Sequence, residues 1–348
     1  MSLLQAWRDG IRRVVSAPAI VVAVWVMTAL FTLPLALALR TGIANDLGHS
    51  LSADAAARGM NYEWMQEFAD QATGLGTTFR PTIVGFAAVL DNLSALMDSV
   101  RRPAAVAGAS AAYVLLWLFL AGGIIDRYAR DHATRVSGFF SACRMFFFRF
   151  IRLAIVMAVV YGLLFGALHP WMFNTVYPRL VRDVDVERTA FMIRAGLYLI
   201  FGLLLAGANV VFDYAKVRTV VEDRHSALVA IIASLRFIRD NAATALGVYM
   251  MNVVLFALVL AAYAFIAPST GGIGIMVWAA FVIGQAYIAG RLCVKLLFWA
   301  SETALFQNRL AHAGYVASAT PRWPDSASAE ARRKRVKWWS HEHRRTRS

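Results

Sequence analysis

Six stretches of 18–26 residues carry no formal charge: 18–39, 104–125, 153–173, 195–212, 242–267 and 272–290. An α-helix rises 1.5 Å per residue, so about 20 apolar residues cross the roughly 30 Å hydrocarbon layer of a bilayer. Lipid offers no partner to a backbone N–H or C=O, so runs of this kind must be helices that satisfy their own backbone. Composition agrees: 59% of the 348 residues are hydrophobic and 16% charged, against about 45–50% and about 25% in soluble domains. The expected fold class is therefore all-α, a polytopic membrane protein with six transmembrane helices. The first run has 22 residues, longer than the 7–15 or so of a signal-peptide core, and is expected to stay as the first span.

Arg and Lys collect in cytosolic segments and set orientation. The N-terminal segment has Arg8, Arg12 and Arg13. The connection after the second span holds Arg127, Arg130, Arg135, Arg144, Arg149 and Arg152, and the one after the fourth holds Lys216, Arg218, Arg224, Arg236 and Arg239. The long first connection has seven acids against five bases, and the fifth has no charge. Both termini are expected in the cytosol, with the spans paired as three hairpins. Residues 1–17 read as an N-terminal interfacial helix, 18–303 as the six-helix domain and 304–348 as a basic cytosolic tail. Within the domain, 41–103 form a helical extracytoplasmic insertion: Pro81 suits a helix start, and Ile83, Phe86, Val89, Leu90, Leu93 and Met97 make an apolar stripe. Cys143 and Cys293 fall near the cytosolic side, where disulfides are disfavoured.

A repeat runs through this layout. Sliding the chain by 87 residues lays Asp126 on Asp213 and "RFIR" at 149–152 on "RFIR" at 236–239. "LLQAWRDGIRRVV" at the start has the same basic amphipathic character. The unit is a cytosolic interfacial elbow helix, a span, an outer connection and a second span, used three times. In this reading "DYAKVRTVVEDR" (213–224) is the elbow where the fourth span leaves the membrane, and the helix after it lies along the inner leaflet. The sharper alternative makes Asp213, Glu222, Asp223 and His225 a metal or acid–base site.

Candidate site residues fall into two groups. Polar residues inside spans are the default functional suspects in lipid. These are Asn209, Asn252 and Gln285, with Tyr161, Tyr249 and Tyr287 near them. The bland role of each amide is a hydrogen bond to a neighbouring helix, worth about 0.5–2 kcal/mol, and the sharp one is to line a solute path. Arg291 and Lys295 fall near the cytosolic end of the last span and can snorkel to phosphates or receive an anion. The second group would bind anionic inner-leaflet headgroups: Arg236 and Arg239 on the elbow, and Arg332, Arg333, Lys334, Arg335, Lys337, Trp338 and Trp339 in the tail. Gly162 and Gly166 form a GxxxG spacing that permits close helix approach. Pro34, near the outer end of the first span, has no counterpart in the third or fifth, which counts against a carrier. No motif for a cofactor, and no ligand spacing for a metal beyond the weak His341-Glu342-His343, is present.

Three hairpins with elbow helices resemble the membrane domain attached to some bacterial glycerophosphodiester phosphodiesterases. The stretches "FDYAKVRTVVEDR" and "WMQEF…GLGTTFRP" are also similar to a bacterial integral-membrane family, a resemblance that implies no activity. The catalytic domain of the phosphodiesterases has no counterpart here, so only their architecture carries over. The expectation is a non-catalytic protein of a bacterial inner membrane whose partners are lipids or another membrane protein, not nucleic acid. The alternative is a transporter or channel for a lipid-like or small solute, using the intramembrane polar residues.

Overall fold

The computed structural model describes residues 2–57, 61–80, 82, 85–100, 103–267 and 275–312. Among these residues the protein is helical, without a strand. The helices are α1 (Leu3–Val15), α2 (Pro18–Leu47), α3 (Ala53–Ala57), α4 (Tyr62–Gln71), α5 (Phe86–Met97), α6 (Ala104–Arg130), α7 (Val136–Leu163), α8 (Tyr177–Leu180), α9 (Glu187–Val221), α10 (Ala227–Asp240), α11 (Ala242–Ile266) and α12 (Ile275–His312). Six helical runs are long and apolar enough to cross a membrane: α2, α6, the continuous Val136–Leu180 run that α7 begins, α9, α11 and α12. This is the construction of a multi-pass membrane protein. Outward-facing Leu, Val, Ile and Phe residues are plentiful on all of them.

Local chemistry sets the chain reversals. Ser2 and Gln5 form a reciprocal capping box at the start of α1, which satisfies two of its free N–H groups. Pro18 stands in the first turn of α2, where its missing N–H costs nothing. Two of the long helices, α6 and α9, give way to an aspartate in the left-handed region, Asp131 and Asp223, each with φ 53°. Asp tolerates that conformation better than most residues.

The most extensive helix contacts join α6 to α7, α12 to α1, and, equally, α9 to α10 and α11 to α12, while α6, α9 and α12 also pack on one another. The N-terminal helix thus stands beside α12 as α7 stands beside α6 and α10 beside α9. The residues from Ala300 to Phe306 of α12 are all buried. Close approaches occur at Gly10, whose Cα faces Ser301, and at Gly122 and Gly123, which face Phe146 and Cys143.

Several expectations need correction. The α1 helix does not simply rest on lipid: Ala6, Gly10, Arg13 and Val14 are buried, and Arg13 Nη1 donates to Tyr128 O at 2.7 Å and Gln307 Oε1 at 2.8 Å. "DYAKVRTVVEDR" is no elbow over most of its length. Residues 213–221 are the last turns of α9, with Tyr214, Ala215, Val217 and Val220 buried, and the reversal comes only at 222–226. Its charges are tolerated because they pair on the helix, Lys216 with Asp213 and Arg218 with Glu222.

The two elbow segments of the repeat also differ. A break at Asn241, whose Nδ2 donates to Phe237 O at 3.1 Å, divides α10 from α11, whereas α7 passes from elbow into span unbroken. Asn competes for backbone groups in a way that Ala154, its counterpart in the repeat, cannot. A proline does interrupt the third span: Pro170 lies between π-helical segments at Leu164–Leu168 and Trp171–Val176. Proline has no N–H for the i→i−4 ladder. Gly162 and Gly166 meet nothing within 4 Å, so their GxxxG makes no close helix contact among the described residues. The last helix runs on to His312, beyond the Ala300 or so that the sequence suggests, so Arg291 and Lys295 lie well before its end.

The insertion is helical, as α3 to α5. Trp64, Met65 and Phe68 form its core with Ile43, Leu47 and Phe79, and Trp64 Nε1 donates to Asp46 Oδ2 at 2.7 Å. The α5 stripe has no buried member; Pro81 and Ile83 lie outside the described residues. His169 on the third span meets Met97 O at 2.6 Å, and Tyr198 of α9 donates to Asp98. These contacts tie the insertion to the bundle.

Candidate functional site

A pocket of about 470 Å³ opens where α6, α9 and α12 meet. Tyr113 and Trp117 come from α6, Asn209, Asp213 and Lys216 from α9, and Lys295, Phe298 and Trp299 from α12, with Met157 of α7 and Tyr249 of α11 completing the wall. Helical spacing aligns the groups: Asn209, Asp213 and Lys216 fall at steps of four and three, as do Lys295 and Trp299, so each set shares a face.

Two lysines dominate the chemistry. Lys216 Nζ is 2.8 Å from Asp213 Oδ1, and the Trp299 indole donates to the same oxygen at 3.1 Å. Lys295 Nζ sits 3.5 Å from the centroid of the Trp117 ring, and the Trp117 and Trp299 rings meet edge to face at 5.7 Å. Among the described residues Lys295 has no ion pair and no hydrogen bond, and its side chain is accessible from the pocket. Two ammonium groups against one carboxylate leave one positive charge in excess.

A Lys held in the hydrocarbon layer costs up to about 2.5–3.5 kcal/mol at its centre, while a cation–π contact returns about 0.5–2 kcal/mol. The choice of residue also bears on function. The chain has 35 Lys and Arg together, of which only four are Lys, and two of those four line this pocket. Lys presents a compact point charge where Arg presents a rigid planar fork.

The expected intramembrane residues part company here. Asn209 and Lys295 share the pocket, and Asn209 Oδ1 accepts from Tyr161 at 2.6 Å. Asn252 does not line it: fully buried, it accepts from Trp7 Nε1 at 3.0 Å and donates to Ser301 Oγ at 2.9 Å. Gln285 accepts from Trp25 Nε1 at 3.0 Å. Both amides thus hydrogen-bond across helices, the bland role the sequence offered for them. Arg291, one turn before Lys295, is exposed outside the pocket lining.

Arg236 is exposed on α10, and Arg239 pairs with Asp240 at 3.4 Å. The tail residues Arg332, Arg333, Lys334, Arg335, Lys337, Trp338 and Trp339 lie outside the described residues. The metal or acid–base alternative comes apart, because each carboxylate serves a different cation. Asp213 pairs with Lys216, Asp223 with Arg149 at 2.5 Å, and Glu222 with Arg218 and Arg224. Burial pushes the Glu222 carboxyl up, but the hydrogen bonds and charges of Arg218 and Arg224 outweigh it and hold it below the ordinary range.

Sequence reasoning missed Trp117, Trp299 and Lys216 as site residues and had Asp213 only in the metal or acid–base alternative. The scarcity of Lys was the available signal. No family model, curated protein or solved structure matches the chain.

Proposed function

We propose that the chain is a non-catalytic bacterial inner-membrane protein that takes a monoanionic amphiphile, such as a fatty-acid carboxylate, into the α6–α9–α12 pocket. Lys295 carries this reading: it is an exposed ammonium lining the pocket, with an aromatic face beside it and no counter-ion among the described residues. The pocket is polar at Asn209, Asp213, Lys216 and Lys295 and apolar at Phe298, Met157 and Val114, which suits a ligand with one charged end. Asp213, already engaged by Lys216 and Trp299, is poorly placed to act as a base.

The topology belongs to the same proposal. Three hairpins with both termini cytosolic follow from the Arg and Lys distribution and bring the pocket toward the inner leaflet. The resemblance to the phosphodiesterase-linked membrane domain supports the hairpin plan alone. Binding of oleate and of oleyl alcohol to the protein in neutral-lipid nanodiscs tests the reading. Oleate should bind at least about tenfold more tightly, since a charge-assisted hydrogen bond is worth about 1.5–3 kcal/mol. Equal affinity would reject the anion site.

Passage across the membrane is the second reading, favoured by the π-helical segments that flank Pro170 in the third span, since locally irregular helices are a feature of carriers, although α2 runs unbroken through Pro34. Flux of the bound anion in proteoliposomes, absent from empty vesicles, would select it.

A further inference from the structure

A second concentration of charge lies apart from this pocket, in a cleft of about 760 Å³ between the end of α9, α10 and the end of α12. Four guanidinium groups face it: Arg218, Arg224, Arg236 and Arg309. Arg218 and Arg224 share one carboxylate, with Arg218 Nη2 at 2.7 Å from Glu222 Oε1 and Arg224 Nε at 2.5 Å from Glu222 Oε2. Arg309 donates to Thr244 Oγ1 at 3.2 Å, while its Nε is buried with no partner among the described residues. Arg236 is exposed and has no ion pair or hydrogen bond among the described residues. Asp240, which also faces the cleft, is engaged by Arg239. At least two cationic charges therefore stand without a carboxylate.

Guanidinium groups from several elements match the oxygens of a phosphate better than any single-point cation does. A phosphate monoester carries about −1.5 to −2 at neutral pH, the charge that two free arginines balance. The apolar part of the ligand is indicated by the same helix. Val229 and Ile232 form a wall of the cleft and belong to the exposed face of α10 with Leu228 and Leu235, while Ala230 and Ser234 are buried on the opposite side. Cationic and apolar surfaces thus adjoin, as a lipid at an interface requires. We infer that the cleft binds the phosphomonoester headgroup of an inner-leaflet lipid, with the acyl chains leaving along Val229 and Ile232. This rests on the inner-leaflet placement of α10 and is independent of the Lys295 pocket.

The test uses the full chain in phosphatidylcholine nanodiscs carrying a small fraction of phosphatidic acid, with bound lipid counted by native mass spectrometry. Phosphatidic acid should be retained in preference to phosphatidylglycerol, a phosphodiester with a single charge. Arg236→Gln, an exposed change that leaves the core untouched, should weaken retention by about tenfold, and the Arg236→Gln/Arg309→Gln pair further. Oleate binding should stay unchanged in both, which separates this site from the other pocket. Millimolar glycerol 3-phosphate or inorganic phosphate should not displace the lipid. Equal retention by the double variant, or no preference for phosphatidic acid over phosphatidylglycerol, would overturn the inference. Full displacement by soluble phosphate would overturn the lipid assignment.

Discussion

A methyl group added to Gly10 of α1 would stand 2.7 Å from the Cα of Ser301 in α12. Helix backbones approach this closely only where one partner lacks a side chain. Gly10→Val should therefore push α1 off α12 and lower stability by about 1–3 kcal/mol, read as a fall in thermal midpoint in detergent or nanodiscs. Gly162→Ala, at a position with nothing within 4 Å, should be neutral or gain about 0.5–1 kcal/mol from helix propensity. Equal loss at both positions would mean that the α1–α12 contact is not what Gly10 protects.

Glu302 is fully buried in α12, and neither carboxylate oxygen has a hydrogen-bond partner among the described residues. A buried polar group without partners is a burden on stability. Glu302→Met, similar in length and apolar, should raise the thermal midpoint, corresponding to about 1–3 kcal/mol. A clear drop would show that the carboxyl has a partner.

The turn after α9 should weaken in acid. Glu222 is held below its ordinary value of 4.5 by Arg218 and Arg224 despite its burial. A depressed carboxyl contributes stability above its unfolded value and loses it as pH falls through the folded one. Glu222→Gln should therefore be less stable than the native chain near neutral pH by about 1–2 kcal/mol. The gap should close as pH falls below about 4.5. Thermal midpoints of both proteins across pH 3–7 check this, and a constant gap would contradict it.

Topology follows from charge and is open to direct mapping. In a chain with Cys143 and Cys293 replaced by Ser, cysteines placed at Met60 and Leu180 should label from the outer side, and those at Arg135, His225 and Ser340 only after the membrane is breached. A single reversed position would overturn the orientation.

The spans were legible in the sequence because a long uncharged run has few physical alternatives in lipid. The pairing of α6 with α7 and of α9 with α10 showed in the repeat, since "RFIR" recurs on both elbow segments. The place of α1 beside α12 did not, because it joins the two ends of the chain and rests on a glycine contact that has no sequence period. The same limit hid the pocket. Asp213 and Lys216 read as a charged exit from the membrane, and only tertiary packing sets them beside Trp299 and near Lys295. Asn252 and Gln285 had the right composition for a solute path, but the indoles that occupy them, Trp7 and Trp25, are more than 200 residues away in the chain.

Lys295→Met tests the central claim most directly, because it removes the uncompensated charge while keeping an unbranched side chain against Trp117. Oleate affinity in neutral-lipid nanodiscs should fall by about 10- to 100-fold, the loss of one charge-assisted contact. Oleyl alcohol should bind the variant as well as it binds the native protein, with the thermal midpoint held or raised. Unchanged oleate affinity in a folded Lys295→Met protein would contradict the account.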